Sequence, residues 1–499
     1  MLTRLKVSGF KNLVDVDVPL GPFTCIAGAN GAGKSNLFDA IQFLSALADH
    51  TLIDAARSVR DEEGRTSDVH DLFHRSGDAD TTEMSFEAEM IIPESGVDDL
   101  GQQVKATTTL LRYRVVLAYR IDDSLPSLGT LELIEERLDH LKLGDWGKYL
   151  KFADHRKDWR DSVLKGKRAV PFISTRIQEG NRVIKVHQDG GNSIRPQTIL
   201  TETLPRTVLS TISTAQNSTA LLARREMQSW KLLQLESTSL RESDEFTTPP
   251  GLGSDGSHLP ATLYQLARSH RDANPASQGT EIYSQVATRL SDLIDDVASV
   301  RIDRDEKREL LTLEITDQSG TVYPARSLSD GMLRFLALSV LESDPKATGL
   351  ICMEEPENSI HPSRIPSVLQ LLQDIATDIT IPVGPYNPLC QVIVSTHSAS
   401  VIQEVFDDTL LIAELVEDLS AGDVPEGQRS NGVRFSWLSD TWRAAFLPEV
   451  APVSKDQLLA YLGPTMPRTP VPKSQLKRNQ RIIDRSDIQP LLFDFSDTE

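Results

Sequence analysis

Residues 28–36 read GANGAGKSN, and these residue types in this order suit the holding of phosphate. Gly28, Gly31 and Gly33 allow a tight turn whose backbone N–H groups converge on anionic oxygens, with Asn30, Ala32 and Asn36 completing the loop. Lys34 adds a mobile cation and Ser35 a hydroxyl suited to Mg2+, and the spacing G-x-x-x-x-G-K-S is that of a phosphate-binding loop. Much later, LICMEEPE sets Glu354 and Glu355 behind four apolar residues, Leu350 to Met353. The first carboxylate suits a metal ion held through water, and the second suits polarising a water for attack on phosphorus. VIVSTHS ends a further apolar run in His397, whose imidazole suits a hydrogen bond to the same phosphoryl group or water, although strand-end histidines are more often structural. SLSDGM places Ser329, Asp330 and Gly331 ahead of an apolar helix, where capping the helix and binding a second anion both account for the residue types.

To act together these side chains need a sheet whose strands end at one edge. FTCIAG is such a strand before the glycine loop, and Leu37, Ile41 and Leu44 after it have helical spacing. Between Met84 and Tyr119 the period changes to two: Met84, Phe86, Ala88 and Met90 alternate with polar neighbours, as do Tyr113, Val115, Leu117 and Tyr119. That pattern predicts an antiparallel meander, continued by GTLELIEERL and NRVIKVHQDGG. A helical stretch is predicted over about 207–235 with Leu221, Leu222, Trp230 and Leu233 in the core, then helices near 259–268 and 281–297. SVRIDRDEKRELLTLEITD reads as two strands and a turn. Pro464, Pro467, Pro470 and Pro472 mark an extended linker, followed by a basic run (Lys473, Lys477, Arg478, Arg481) and an apolar end carrying Leu491, Leu492, Phe493 and Phe495.

The 499 residues, 39% hydrophobic and 25% charged, predict a soluble globular chain of two or three domains. A net charge of -20 argues against a dedicated DNA-coating protein and confines any nucleic-acid contact to local basic patches. One such patch, HRKDWRDSVLKGKR at 155–168, also holds Asp158 and Asp161 and reads rather as a solvated helix face. No apolar run matches a bilayer span or a signal-peptide core, so a cytoplasmic location without membrane partners is expected. Cys25, Cys352 and Cys390 are too sparse for a disulfide framework or a zinc site and are expected as buried thiols.

The stretches GANGAGKSNLFDAI, SLSDGM, EEPENSIHP and VIVSTHS, in that order, resemble the ABC-type ATPase heads of the SMC, RecF and OLD families. The resemblance implies an α/β fold: an ABC-type P-loop NTPase head, a mixed sheet with flanking helices, carrying an inserted α+β segment and a C-terminal extension. The implied division is 1–80 and 300–415 for the head, 81–299 for the insertion and 416–499 for the extension. ATP and Mg2+ are the implied cofactors, with Ser35 and Glu354 on the metal, Glu355 and His397 as catalytic residues, and Ser329 and Gly331 reaching the ATP of a second copy in a homodimer. Closure of that dimer would act on DNA or on a separate nuclease or effector protein, in genome maintenance or phage defence. A nuclease within this chain is not expected: Glu414, Glu417 and Asp418 follow the histidine motif without the D-x-D pair of OLD nucleases. Two departures stand out. Asp330 and Met332 replace the glycine and glutamine of many signature loops, and no glutamine loop is evident, DLFHRSG around His74 being the nearest stretch. A nucleotide-gated module with little turnover is a second class, against which Glu355 speaks. A transporter subunit is a third, against which the large insertion speaks.

Overall fold

The computed structural model describes residues 1–59, 69–76, 79–80, 82–122, 125–189, 196–201, 204–273, 280–294, 296–417, 431–454, 458 and 481–482. Period-two alternation produces the predicted meander: Glu83–Ile91, Leu110–Asp122 and Leu125–His140 lie side by side, antiparallel. They belong to an eight-stranded sheet that continues through Ile173–Gln178, Asn181–Val186 and Gln197–Leu200 on one side. On the other side it takes in the first two strands of the chain, Leu2–Phe10 and Leu13–Pro19. The sheet therefore crosses the division expected at 80/81. Val7 pairs with Phe86, and both alternating strands turn their apolar side chains into one core. Separating them would strip that face and leave a row of unpaired N–H and C=O groups.

The second sheet has six strands in the order Lys231–Leu233, Gly349–Glu354, Cys390–Thr396, Phe23–Ala27, Leu410–Glu417, Asn431–Ser436. The first five run parallel and the last antiparallel. Its central strands are buried on both faces, which is why they read as unbroken apolar runs. Helix Lys34–Leu47 covers one face, and helices Asp330–Glu342 and Ile365–Ile375 cover the other. A smaller antiparallel sheet, with Leu310–Asp317 at its centre and Val297–Asp305 along one edge, packs with helices Leu259–Ala273 and Thr280–Ser291. The result is the mixed sheet with flanking helices that the resemblance implied.

Two sequence expectations are corrected here. The helix expected to reach Leu235 is Ser218–Gln228 and stops there; Lys231–Leu233 is an edge strand beside the carboxylate strand. The buried neighbours Leu232 and Leu233 belong to opposite cores, an arrangement that strand alternation allows and one helical face does not. The stretch after 415 is likewise no appendage at first, because Asn431–Ser436 completes the sheet. Arg443 then pins it down: fully buried, its guanidinium donates to Pro19 O, Asp408 O and Thr24 Oγ1, and burial pulls its pKa down to about 9. Farther on, Ile482 is buried and donates its N–H to Val405 O, while Arg481 pairs with Glu404. The proline linker, Lys473, Lys477, Arg478, Asp418 and the apolar end at 491–495 lie outside the described residues.

In the 155–168 stretch, Trp159 is a core residue packed edge-on against Phe152, and Arg160 stacks 3.7 Å from the Trp146 ring. Cys25, Cys352 and Cys390 are buried and unbridged, and burial pushes each thiol up.

Candidate active site

The fully buried strand Phe23–Ala27 carries the glycine loop to the C-terminal edge of the parallel sheet. A Cβ on Gly28 would lie 2.5 Å from Ala413 O, so the neighbouring strand forbids any side chain there. Gly33 has φ 97°, a conformation that favours glycine, and a Cβ on it would lie 2.6 Å from Asn12 Nδ2 and displace that side chain. Lys34 opens the helix and donates to Gly28 O (2.7 Å) and Ala29 O (2.9 Å). Burial lowers its pKa, opposed by the carboxylates of Glu355, Glu354 and Glu357. The helix start is tied to the hairpin turn between the first two strands. Asn36 Nδ2 donates to Asn12 Oδ1 at 2.7 Å, and Lys11 Nζ pairs with the fully buried Asp39 at 2.7 Å. Sequence reading missed Lys11, Asn12 and Asp39; the one signal was an aspartate inside the apolar stripe LFDAIQF.

Parallel pairing brings the ends of three strands level: Glu354 opposite Ser395, and Thr396 opposite Ala27. Glu355 follows with φ 47°, a left-handed conformation held by its N–H donating to Ser395 O at 2.8 Å. Its Oε2 accepts from Asn358 Nδ2 (2.9 Å), and its Oε1 lies 2.6 Å from His397 Nδ1. Burial pushes the Glu355 carboxyl up, but Asn358, His397 and Lys34 together outweigh it and leave the pKa below the ordinary value. A cleft of about 530 Å³ has Gly31, Gly33, Lys34 and Ser35 on one wall and Glu354 and Glu355 on the other. Converging N–H groups and a cation facing two carboxylates fit a polyphosphate chain with a divalent cation between them. Asn358 and Ser395 also line it, and neither was singled out from the sequence.

Ser329 caps helix Asp330–Glu342, its Oγ accepting the Met332 N–H at 3.4 Å. Arg241 Nη2 donates to Asp330 Oδ1 (2.6 Å) and Leu328 O (3.0 Å), fixing the approach to that helix. A Cβ on Gly331 would lie 2.5 Å from Ser359 O, so the helix start packs on the turn that follows Glu355. Ser329 and Gly331 lie outside the lining of the cleft that holds Lys34. His74 is buried against Lys11 O (2.7 Å) and does not line the cleft either. Glu414 lines a separate cleft together with Asp15, Asp17 and Glu449.

The model of the family described as "AAA domain, putative AbiEii toxin, Type IV TA system" matches residues 23–170 and 223–403, more than half of the chain. An OLD nuclease of Thermus scotoductus is 52% identical over 44 residues, 9% of this chain and 8% of that protein. The DNA replication and repair protein RecF of Brucella abortus is 47% identical over 45 residues, 9% of this chain and 12% of that protein. These matches thus span about a tenth of the length of the curated relatives. Among solved structures, an SMC head bound to the C-winged helix domain of ScpA aligns with a TM-score of 0.45 and 16% identity, covering 88% of this chain and 98% of that one. An SMC head with an extended coiled coil, bound to the C-terminal domain of ScpA from Pyrococcus furiosus, gives 0.43 and 14%, covering 90% and 98%.

Proposed function

Because the chain belongs to this AAA-domain family, as an ABC-type ATPase head of the SMC, RecF and OLD group, we propose that it hydrolyses ATP and that two copies close around the nucleotide to act on DNA or on a separate effector protein. The observation that carries this reading is Glu355, which lines the cleft facing Lys34 and Ser35 and is held from behind the lining by its contact with His397. The loop N–H groups and Lys34 bind and orient the phosphates, for which Lys34 gives up its present carbonyl partners. Ser35 and Glu354 would hold Mg2+, which would neutralise charge on the phosphate oxygens. Glu355, kept ionised by Asn358, His397 and Lys34, takes the proton of the attacking water, and His397 holds that carboxylate in line. Ser329 and Gly331 serve the cleft of the second copy. Their position outside their own cleft supports this assignment, and Ser329 there offers its hydroxyl and the first N–H groups of its helix to the terminal phosphate.

Replacing Glu355 by Gln tests the hydrolytic part. ATP binding is expected to stay near that of the unmodified chain while steady-state hydrolysis falls by roughly two orders of magnitude, the scale of a lost general base. Undiminished turnover in that variant would remove Glu355 from the reaction.

A further inference from the structure

Glu357 follows the two cleft carboxylates and turns inward, whereas Asn358 and Ser359 beside it are exposed. Its Oε1 accepts the hydroxyl proton of Thr396, and Thr396 Oγ1 in turn accepts the Ser398 N–H at 2.9 Å. Thr396 and Ser398 flank His397, so this chain of hydrogen bonds grips the histidine's turn on both sides. Glu357 Oε2 is buried and, among the described residues, has no hydrogen-bond partner. Keeping a carboxylate there is unfavourable for packing alone, which a leucine or methionine would serve better. The chain lies beside the catalytic pair: the Glu355 N–H donates to Ser395 O, next to Thr396, and His397, between Thr396 and Ser398, stands 2.6 Å from Glu355.

We propose that Glu357 is a positioning residue for hydrolysis: through the Thr396 hydroxyl it fixes the turn that presents His397 to Glu355. It touches neither the phosphates nor the water. The inference rests on the ATPase reading above.

The test compares Glu357→Leu, Glu357→Gln, Thr396→Val and Thr396→Ser in the full-length protein, with ATP binding as the measure of correct folding. Glu357→Leu and Thr396→Val are each expected to lower kcat by about 10- to 100-fold, the range seen when a supporting hydrogen bond to a working side chain is lost, with KM for ATP within about twofold. Glu357→Gln keeps an acceptor oxygen and Thr396→Ser keeps the hydroxyl, so both should recover most of the rate. Because both losses break one link, the Glu357→Leu/Thr396→Val double variant should be no slower than either single variant. A Gln variant as slow as the Leu variant, a change confined to KM, or fully additive losses would overturn the inference. Wild-type turnover with an equally active Glu357→Leu variant would sink the inference and leave the ATPase reading standing. Absent ATP binding and turnover in the wild-type protein would sink both.

Discussion

Glu136 shows how much one side chain of the eight-stranded sheet is asked to do. Fully buried, it accepts the backbone N–H groups of Val208 (2.6 Å) and Leu209 (2.8 Å) and the Tyr113 hydroxyl (3.2 Å). Next to Val208, the Thr207 hydroxyl donates to Leu47 O, the last carbonyl of the phosphate-loop helix. Glu136 therefore fixes a segment that holds the C-terminal end of the helix Lys34–Leu47. Burial raises its pKa to about 7, against the hydrogen bonds that favour the anion. A carboxyl whose folded pKa lies above its unfolded value binds more protons when folded. Its contribution is then complete below the unfolded pKa, near 4.5, and is lost as pH rises toward about 7. The stability difference between the wild type and Glu136→Gln should accordingly shift by ~3 kcal/mol between pH 4.5 and 7, in the direction of a weaker wild type at higher pH. Denaturant midpoints measured for both across that range check the sign, and a pH-independent difference would mean that Glu136 is ionised throughout.

Elements in this protein are joined by polar side chains at their ends rather than by apolar faces alone. Lys11 and Asp39 join the first hairpin to the phosphate-loop helix, Arg241 joins a short helix to the start of Asp330–Glu342, and Arg443 joins the C-terminal stretch to both large sheets. Arg443 is the most demanding of these, since a guanidinium removed from water donates to three acceptors. Arg443→Met fills similar space but leaves Pro19 O, Asp408 O and Thr24 Oγ1 without that donor. Asp408 O keeps the Trp442 Nε1 donor and Thr24 Oγ1 keeps the Gly21 N–H, so the expected loss is roughly 1–3 kcal/mol of unfolding free energy, chiefly from Pro19 O losing its side-chain donor. Urea unfolding measures it, and a loss below about 0.5 kcal/mol would show that apolar packing of Trp437 and Leu438 holds the stretch unaided.

At the scale of the whole molecule, the proposed ATP site needs a second copy of the chain to complete it. Lys34 and Ser329 belong to one chain, yet only Lys34 lines its own cleft. If a second copy supplies Ser329, then Ser329→Arg and Lys34→Ala should each be nearly inactive alone, the first still binding ATP. Mixing them creates dimers in which one composite site carries both lesions and the other carries none. Recovery of up to about a quarter of wild-type activity is expected, since half of random pairs are mixed and each has one intact site of two. A mixture as inactive as its components, with mixed dimers demonstrated by cross-linking, would refute the shared site.

The phosphate loop was legible from sequence because its chemistry is local: a buried strand, glycines at fixed spacing, a lysine and a serine at a helix start lie within a dozen or so consecutive residues. The carboxylate and histidine strands were legible for a related reason, as apolar runs buried on both faces must end where polar residues begin. Register decided the remainder. That Glu354 stands opposite Ser395, that Val7 pairs with Phe86, and that Lys231–Leu233 flanks the carboxylate strand depend on pairings between distant segments. A period-two pattern tells which face of a strand is apolar but not which strand lies beside it. Asn12, Asp39, Glu136, Glu357 and Arg443 owe their surroundings to such pairings. A polar side chain in sequence does not disclose whether water or a buried partner awaits it; only the fold brings the partner and excludes the water.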